Sequence, residues 1–548
     1  MPKTEKNSRQ NLLISPGQQS TTRPANYRWL ADESSTIWSL PTCLGLQTVL
    51  FTIIGYLRLT DTDEGLYLLA AKLVAQGKRL YVDFFFQQMP ALPYVYAVWS
   101  RLVGLSWISG RMLSVLLSVG LGGLLYWHIE RLYSRKVLSC LAVLLYALNN
   151  LVIAWHSVVK TYALSNFLLF CAYVLVVSEK KRQIGWKALS GGLLLGLAVD
   201  TRLYLIAVTP VLMASLYFSG SRSDGRLKVV WPFIGGLAVG LTPNLLMLLK
   251  APTSYIFDNI GYHLIRSDSS LRHQIFQKIE TVLAITNLQG SYDGSGAQFA
   301  LLGLAALATV LSRTLDRRSL FPFAMSFVLF VTCLVPSPTF PQYFCVCVPY
   351  LVIAAVRLVA TTAESLNVAD SRFRLMRKIG LLLGGLYVLC GLLAFYNYAY
   401  RGSGVEGIWR RSNTFDYRLS TVRQVSRELS HLVAKDDPVI SFWPGYLVEC
   451  DCVPQGGTEN DFALFVSPKL SPAEAERRKI ITDARVRDLL KKHQPRAVVV
   501  RSADVWGGWG ISYRDALQQN GYKLVRSIGR AEIYVQQYDD RTTVPKGT

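Results

Sequence analysis

Acidic and imidazole side chains are scarce in this chain. There are 36 Asp and Glu against 58 Lys and Arg in 548 residues, only six His, and 17% charged residues in all. The long apolar runs hold no Asp or Glu. That excludes an ordinary soluble protein and argues against a carrier built on carboxylates at mid-membrane. The nine cysteines show no metal-ligand or disulfide framework. Seven of them (Cys43, Cys140, Cys171, Cys333, Cys345, Cys347 and Cys390) lie in apolar segments, where cysteine is a small hydrophobe. Cys450 and Cys452 are only two apart and are expected to be free thiols. There is no low-complexity tract and no inverted repeat. The net charge of +22 has no nucleic-acid module beside it, so no nucleic-acid partner is expected.

Hydrophobic residues make up 51% of the chain, in runs long enough to cross a bilayer. The reading is a polytopic α-helical membrane domain with about eleven transmembrane helices, followed by a soluble α/β domain. The spans fall near 37–57, 110–128, 137–154, 162–177, 188–199, 203–218, 229–249, 297–311, 320–335, 343–359 and 379–395. The connections after the even-numbered spans carry 17 Lys and Arg, among them Arg131, Lys181, Arg226, Arg317 and Arg374. Those after the third, fifth, seventh and ninth carry six. The positive-inside rule then puts the N-terminus in the cytoplasm and the C-terminal region outside. This alternation holds only if Ala91–Ile108 does not cross but lies along the outer interface. The pairs Gly192/Gly196 and Gly236/Gly240 are expected to be helix-packing sites. The domains are 1–35, a disordered cytoplasmic tail; 36–400, the membrane domain; and 401–548, extracytoplasmic.

The chemistry is expected in the first outer loop, Thr60-Asp61-Thr62-Asp63-Glu64-Gly65-Leu66-Tyr67. Three carboxylates within four residues repel one another and resist desolvation. They fit a cation site, a general base with a helper, or a helix N-terminus, which favours acids.

The order of elements narrows this. A span leads to Asp63-Glu64-x-x-Tyr67, then a short helix, then Gly77-x-x-Leu80-Tyr81-x-Asp83 and Pro90-Ala91-Leu92-Pro93-Tyr94, then many spans and an outer domain. Over residues 36–400 this resembles the GT-C class of integral-membrane glycosyltransferases, above all the bacterial relatives of protein O-mannosyltransferases and lipid A aminoarabinose transferases. The resemblance implies a catalytic Asp in the first outer loop between two juxtamembrane helices, which selects Asp63 as base with Asp61 and Glu64 in support. It also implies a plasma (inner) membrane enzyme that takes a polyprenyl-phosphate sugar donor and passes the sugar to a glycan, lipid or protein acceptor. Arg202, Arg58, Lys78 and Tyr343 are the candidate donor-phosphate ligands, with pairing to Asp200 the competing reading for Arg202. A divalent cation is a candidate cofactor, its ligands unknown.

Two departures from that pattern stand out. Gln87-Gln88-Met89 precedes Pro90 where many relatives have a basic residue, and the second outer loop offers Asn149, Asn150, His156 and Lys160 but no acid. The outer loop 250–296, with His263, His273 and Arg266, either covers the site or merely connects spans. In the C-terminal region the indoles of Trp506 and Trp509 could stack on sugars or pack internally. A transporter or flippase of lipid-linked glycans, and a non-catalytic envelope glycan assembly protein, are the alternative functions.

Overall fold

Every expected span coincides with an apolar helix or a bent pair of helices in the computed structural model, which describes residues 39–177, 184–219, 226–266, 269–286, 295–311, 317–365, 371–401, 415–501 and 513–537. The tail 1–35 and the Trp506–Trp509 loop lie outside the described residues. The first helices are α1 (Leu40–Leu57), α2 (Thr62–Ala75), α3 (Ala91–Val103), α4 (Trp107–Tyr133), α5 (Lys136–Ala147), α6 (Asn150–His156), α7 (Thr161–Val176) and α8 (Ile184–Val199). Among the described residues four helices are long and apolar enough to cross a membrane, or six if each of two bent pairs counts as one span. α5 and α6 form one such pair, bent by 65°. Five further apolar helices have 10–17 residues. At ~1.5 Å rise per residue these fall short of a ~30 Å core. Length and composition alone thus pick out four to six helices able to cross among the described residues.

The glycine pairs do pack helices. Gly192 and Gly196 on α8 face Gly236 and Gly240 on the helix Val230–Gly240. A methyl group on any of the four would run into backbone atoms of the facing helix, which is how small residues let helices approach. α3 has only 13 residues, too few to span alone, and leaves Val98, Leu102 and Val103 exposed on one side. That suits a helix lying in an interface.

The C-terminal region forms the expected mixed α/β unit. Its strands are β1 (Pro438–Ser441), β2 (Val453–Pro454), β3 (Ala497–Arg501), β4 (Tyr522–Ile528) and β5 (Ala531–Gln536), in the order β2-β1-β3-β5-β4. β1 runs parallel to β2 and β3, and β5 is antiparallel to β3 and β4. The valines of β3 are buried, as a continuous apolar strand requires. β2 escapes a sequence reading because two residues have no periodicity.

The polar turn in composition near 401 suggests a detached domain, yet one apolar cluster runs from Leu66, Leu69 and Tyr96 on α2 and α3 through Trp107 into Val422, Val439, Trp443 and Ile533. The indole Nε1–H of Trp443 donates to Thr62 O at 3.0 Å. Lys72 Nζ donates to Leu447 O at 2.8 Å and also to Cys450 O. Gly65 lies against the backbone of Gly445, where a Cβ would collide. Burial of these side chains joins the unit to α2, so the fold clamps the loop after α1 between the apolar helices and the sheet. Contrary to the expected free thiols, Cys450 and Cys452 form a disulfide, their Cα atoms 5.3 Å apart and within bridging range.

Candidate active site

The loop after α1 ends in a capping box. Asp61 is the N-cap of α2: its Oδ1 accepts the Asp63 N–H at 3.0 Å, and its own N–H donates to Glu64 Oε1 at 2.9 Å. An acid at each of these positions satisfies an orphan N–H and meets the positive end of the helix. Glu64 does more. Arg111 on α4 donates to it twice, Nη2 to Oε1 at 2.7 Å and Nε to Oε2 at 2.9 Å, and Val159 N–H adds a third bond at 3.2 Å. Both side chains of this ion pair are fully buried. Glu64 thus ties α2 to α4 and to the loop before α7, and its buried side chain does not line the cavity that Asp63 faces. Arg58, also buried, donates to Leu59 O and lies over the Trp155 ring at 4.7 Å.

Asp63 is placed differently. Its side chain keeps 26% exposure and lines a cavity of about 900 Å³, open mouth included. Lys160, in the loop between α6 and α7, places Nζ 3.0 Å from Asp63 Oδ2 and 2.9 Å from Asp61 Oδ1. Withdrawal from water pushes the Asp63 carboxyl above its ordinary range, and the Lys160 ammonium opposes that shift. For Lys160 itself the balance is reversed. Burial alone would lower it, but Asp61 and Asp63 outweigh burial and hold it above the usual lysine range.

Around the cavity stand Tyr67, Gln87, Gln88, Tyr162, Arg202, Tyr262, Arg266, Phe340, Tyr343, Phe462 and Phe465. The expected Arg202 and Tyr343 are therefore brought to Asp63. Lys78 is exposed and is not part of the lining, and Arg58 is sealed beneath the loop. Arg202 does not pair with Asp200. Its Nε donates to Thr161 Oγ1 at 2.5 Å, and its Nη groups donate to the hydroxyls of Tyr162 and Tyr204 at 3.1 Å each. The guanidinium stacks over the rings of Tyr162 at 4.2 Å and Tyr343 at 5.1 Å. Asp200 turns instead to Asn244. Stacking and neutral hydrogen bonds leave the Arg202 charge uncancelled and directed by its surroundings.

Several cavity residues draw no assignment from sequence, and Arg266 stands out there only as part of the loop 250–296. Arg266 is held by Ser337 O, through Nε at 3.1 Å and Nη2 at 2.9 Å. It and Tyr262 bring the stretch after residue 250 to the wall of the cavity. Phe462 and Phe465 come from the C-terminal unit, as does Asp461 beside them, whose carboxyl burial and the charge of Asp63 push up to about 8. These residues lie some four hundred positions from Asp63, so no local pattern links them. Tyr67, one turn after Asp63 in the Asp-Glu-x-x-Tyr pattern, was legible. Among the described residues no group of three or more His, Cys, Asp or Glu side chains is disposed to hold a metal ion.

Comparison with known proteins is consistent with this geometry. Residues 87–247 match the family described as dolichyl-phosphate-mannose-protein mannosyltransferase, a stretch that contains Gln87, Gln88, Lys160, Tyr162 and Arg202. No curated protein matches the sequence. The chain is similar to the crystal structure of ArnT from Cupriavidus metallidurans bound to undecaprenyl phosphate, with a TM-score of 0.64 at 13% identity over 92% of this chain and 99% of that one. The apo state of the same protein gives 0.60 at 14% identity, over 90% and 96%. The likeness is one of fold, and the fold is that of the GT-C glycosyltransferases.

Proposed function

We propose that this chain is an inverting membrane glycosyltransferase that moves a sugar from a polyprenyl-phosphate carrier to an acceptor hydroxyl at the extracytoplasmic face. The observation that carries the reading is the convergence of one carboxylate, Asp63, and two arginines, Arg202 and Arg266, on a single aromatic-lined cavity. Supporting it are the match of residues 87–247 to a mannosyltransferase family and the fold shared with a protein that binds undecaprenyl phosphate. The charge bias of the connections supports the outer location.

In this reading the acceptor oxygen attacks the anomeric carbon while the bond from that carbon to the lipid phosphate oxygen breaks on the opposite face. The acceptor proton passes to Asp63, and the electron pair of the broken bond leaves on the phosphate. General-base help of this kind contributes about 10²–10⁴-fold. Arg202 and Arg266 hold the departing phosphate, because charge-assisted bonds from preorganised guanidinium groups strengthen as negative charge develops. Tyr162 and Tyr343 fix the plane of Arg202 and give the carrier an apolar wall. The acceptor enters from the side of Phe462 and Phe465, where the C-terminal unit meets the cavity. With its pKa raised, Asp63 accepts the proton more readily than a solvated carboxylate, and the Lys160 ammonium favours its ionised form.

The test is to reconstitute the full chain in liposomes with a panel of undecaprenyl-phosphate-linked hexoses and pentoses, and to follow release of undecaprenyl phosphate in the presence of extracted envelope acceptors. Release with at least one donor, with inversion at the anomeric carbon of the product, is the expected result. Folded protein that turns over none of the donors overturns the reading.

A further inference from the structure

We propose that Lys160 is the resident cation of this site: its ammonium bridges Asp61 and Asp63 in the place a divalent ion would occupy, so that transfer runs without a bound metal and Lys160 positions Asp63 as the base. The second half of this statement rests on the transferase reading above; the first half does not.

One oxygen of each of the two carboxylates is already engaged by the ammonium. Lys160 Nζ lies 2.9 Å from Asp61 Oδ1 and 3.0 Å from Asp63 Oδ2, with the Trp155 ring face 4.7 Å away. The lysine side chain keeps only 3% exposure. A hard cation such as Mg²⁺ demands several oxygens near ~2.1 Å in octahedral array. Here two carboxylate oxygens are spent on the ammonium, Glu64 is consumed by Arg111, and the indole face closes the remaining side. A divalent ion could enter only by expelling Lys160 from a buried position whose charge is compensated by those same acids. The backbone holds the lysine there: Lys160 N–H donates to Val158 O at 2.8 Å, and the residue is the extended N-cap of α7. Among the described residues Asp63 Oδ1 takes no hydrogen bond, which leaves one oxygen for the acceptor proton while Oδ2 is fixed.

The first experiment reads the cation site without activity. Mn²⁺ is titrated into the purified full chain and the free-ion electron paramagnetic resonance signal is followed. The wild type is expected to take up no Mn²⁺ that depends on Asp63. One Mn²⁺ per chain that disappears in Asp63→Asn overturns the proposal, and this measurement decides without any variant at position 160. In Lys160→Asp a third carboxylate replaces the ammonium, and one Mn²⁺ per chain is expected to appear. A folded Lys160→Asp protein that binds none also overturns it, since the ammonium would then not stand in a cation's place.

The second experiment reads the positioning role. Transfer by the wild type is expected to survive EDTA unchanged, and loss of transfer that Mg²⁺ or Mn²⁺ restores contradicts the proposal. Lys160→Met is expected to lower kcat about 10²-fold. The groups facing Asp63 are Asp61, Lys160, Arg202, Tyr67, Tyr262 and Asp461. Of these, Lys160 makes the direct ion pair with it, so its loss is expected to move the acid limb of the rate profile up by about one pH unit. Lys160→Arg is expected to restore part of the rate. A Lys160→Met profile superposable on the wild type overturns the positioning role, because a lysine that merely stabilised the fold would not move it. If the wild type transfers no sugar from any donor, the transferase reading falls, and the Mn²⁺ result still decides the cation site.

Discussion

Replacing Glu64 by Gln separates anchoring from chemistry within the carboxylate cluster. The Glu64 carboxylate receives four N–H groups: Asp61 N–H and Arg111 Nη2 at Oε1, and Arg111 Nε and Val159 N–H at Oε2. An amide has one oxygen, so whichever way it turns, two donors meet a donor. Arg111 is then left charged in a wholly buried position. Breaking one side of such a pair costs about 3–5 kcal/mol. In a chain of this size that corresponds to a fall of about 3–4 °C in Tm. The assay is thermal unfolding in detergent followed by tryptophan fluorescence, with transfer measured on the same sample well below the transition. Transfer is expected to fall in step with the folded fraction, because Glu64 touches no cavity group. A variant whose Tm stays within about 1 °C of wild type but which has lost transfer would refute the reasoning and make Glu64 a working group.

The other perturbations act elsewhere in the site. Arg202→Lys keeps the charge but loses the planar stack on Tyr162 and Tyr343 and two of three hydrogen bonds; the donor KM is expected to rise about tenfold in initial-rate measurements, and an unchanged KM would remove Arg202 from the phosphate site. Gly65→Ala drives a methyl group into the Gly445 backbone, so loosening of the C-terminal unit, at a cost of about 1–3 kcal/mol, is expected as its faster degradation in limited proteolysis. Asp461 holds its proton in the folded chain up to about 8, against 3.8 ordinarily. Between those values the native state binds more protons than the unfolded one, and its stability falls as pH rises. Asp461→Asn is therefore expected to raise Tm relative to wild type at pH 8.5 and to leave it nearly equal at pH 4; the reverse order would contradict the burial of that carboxyl.

The apolar helices were legible because each carries its own signal in ten or more consecutive residues. Counting cations on either side of Ala91–Ile108 gave the expectation that it does not cross, and the helix there has only 13 residues. The cluster Asp61/Asp63/Glu64 was also visible, but its division of labour was not. Which acid caps the helix, which meets Arg111 and which faces the cavity depends on α4 and on the loop before α7, and neither contact has a local signature. Lys160 illustrates the limit. In sequence it is only an absent carboxylate in the second outer loop, and its partners lie about a hundred residues upstream. Arg202 showed itself as a cation at the mouth of a span, although the adjacent Asp200 invited a pairing that the tyrosines replace. The contribution of the C-terminal unit was hidden altogether. A change of composition near residue 401 reads as a domain boundary, whereas the apolar faces of α2 and the sheet share one core.

The central claim is that Asp63 takes the acceptor proton. It is tested most directly by comparing wild type and Asp63→Asn for single-turnover sugar transfer from an undecaprenyl-phosphate donor that the wild type uses, with matched Tm as proof of folding. The account predicts a loss of at least about 10²-fold in the chemical step with donor binding retained. Undiminished transfer by a folded Asp63→Asn protein would contradict it.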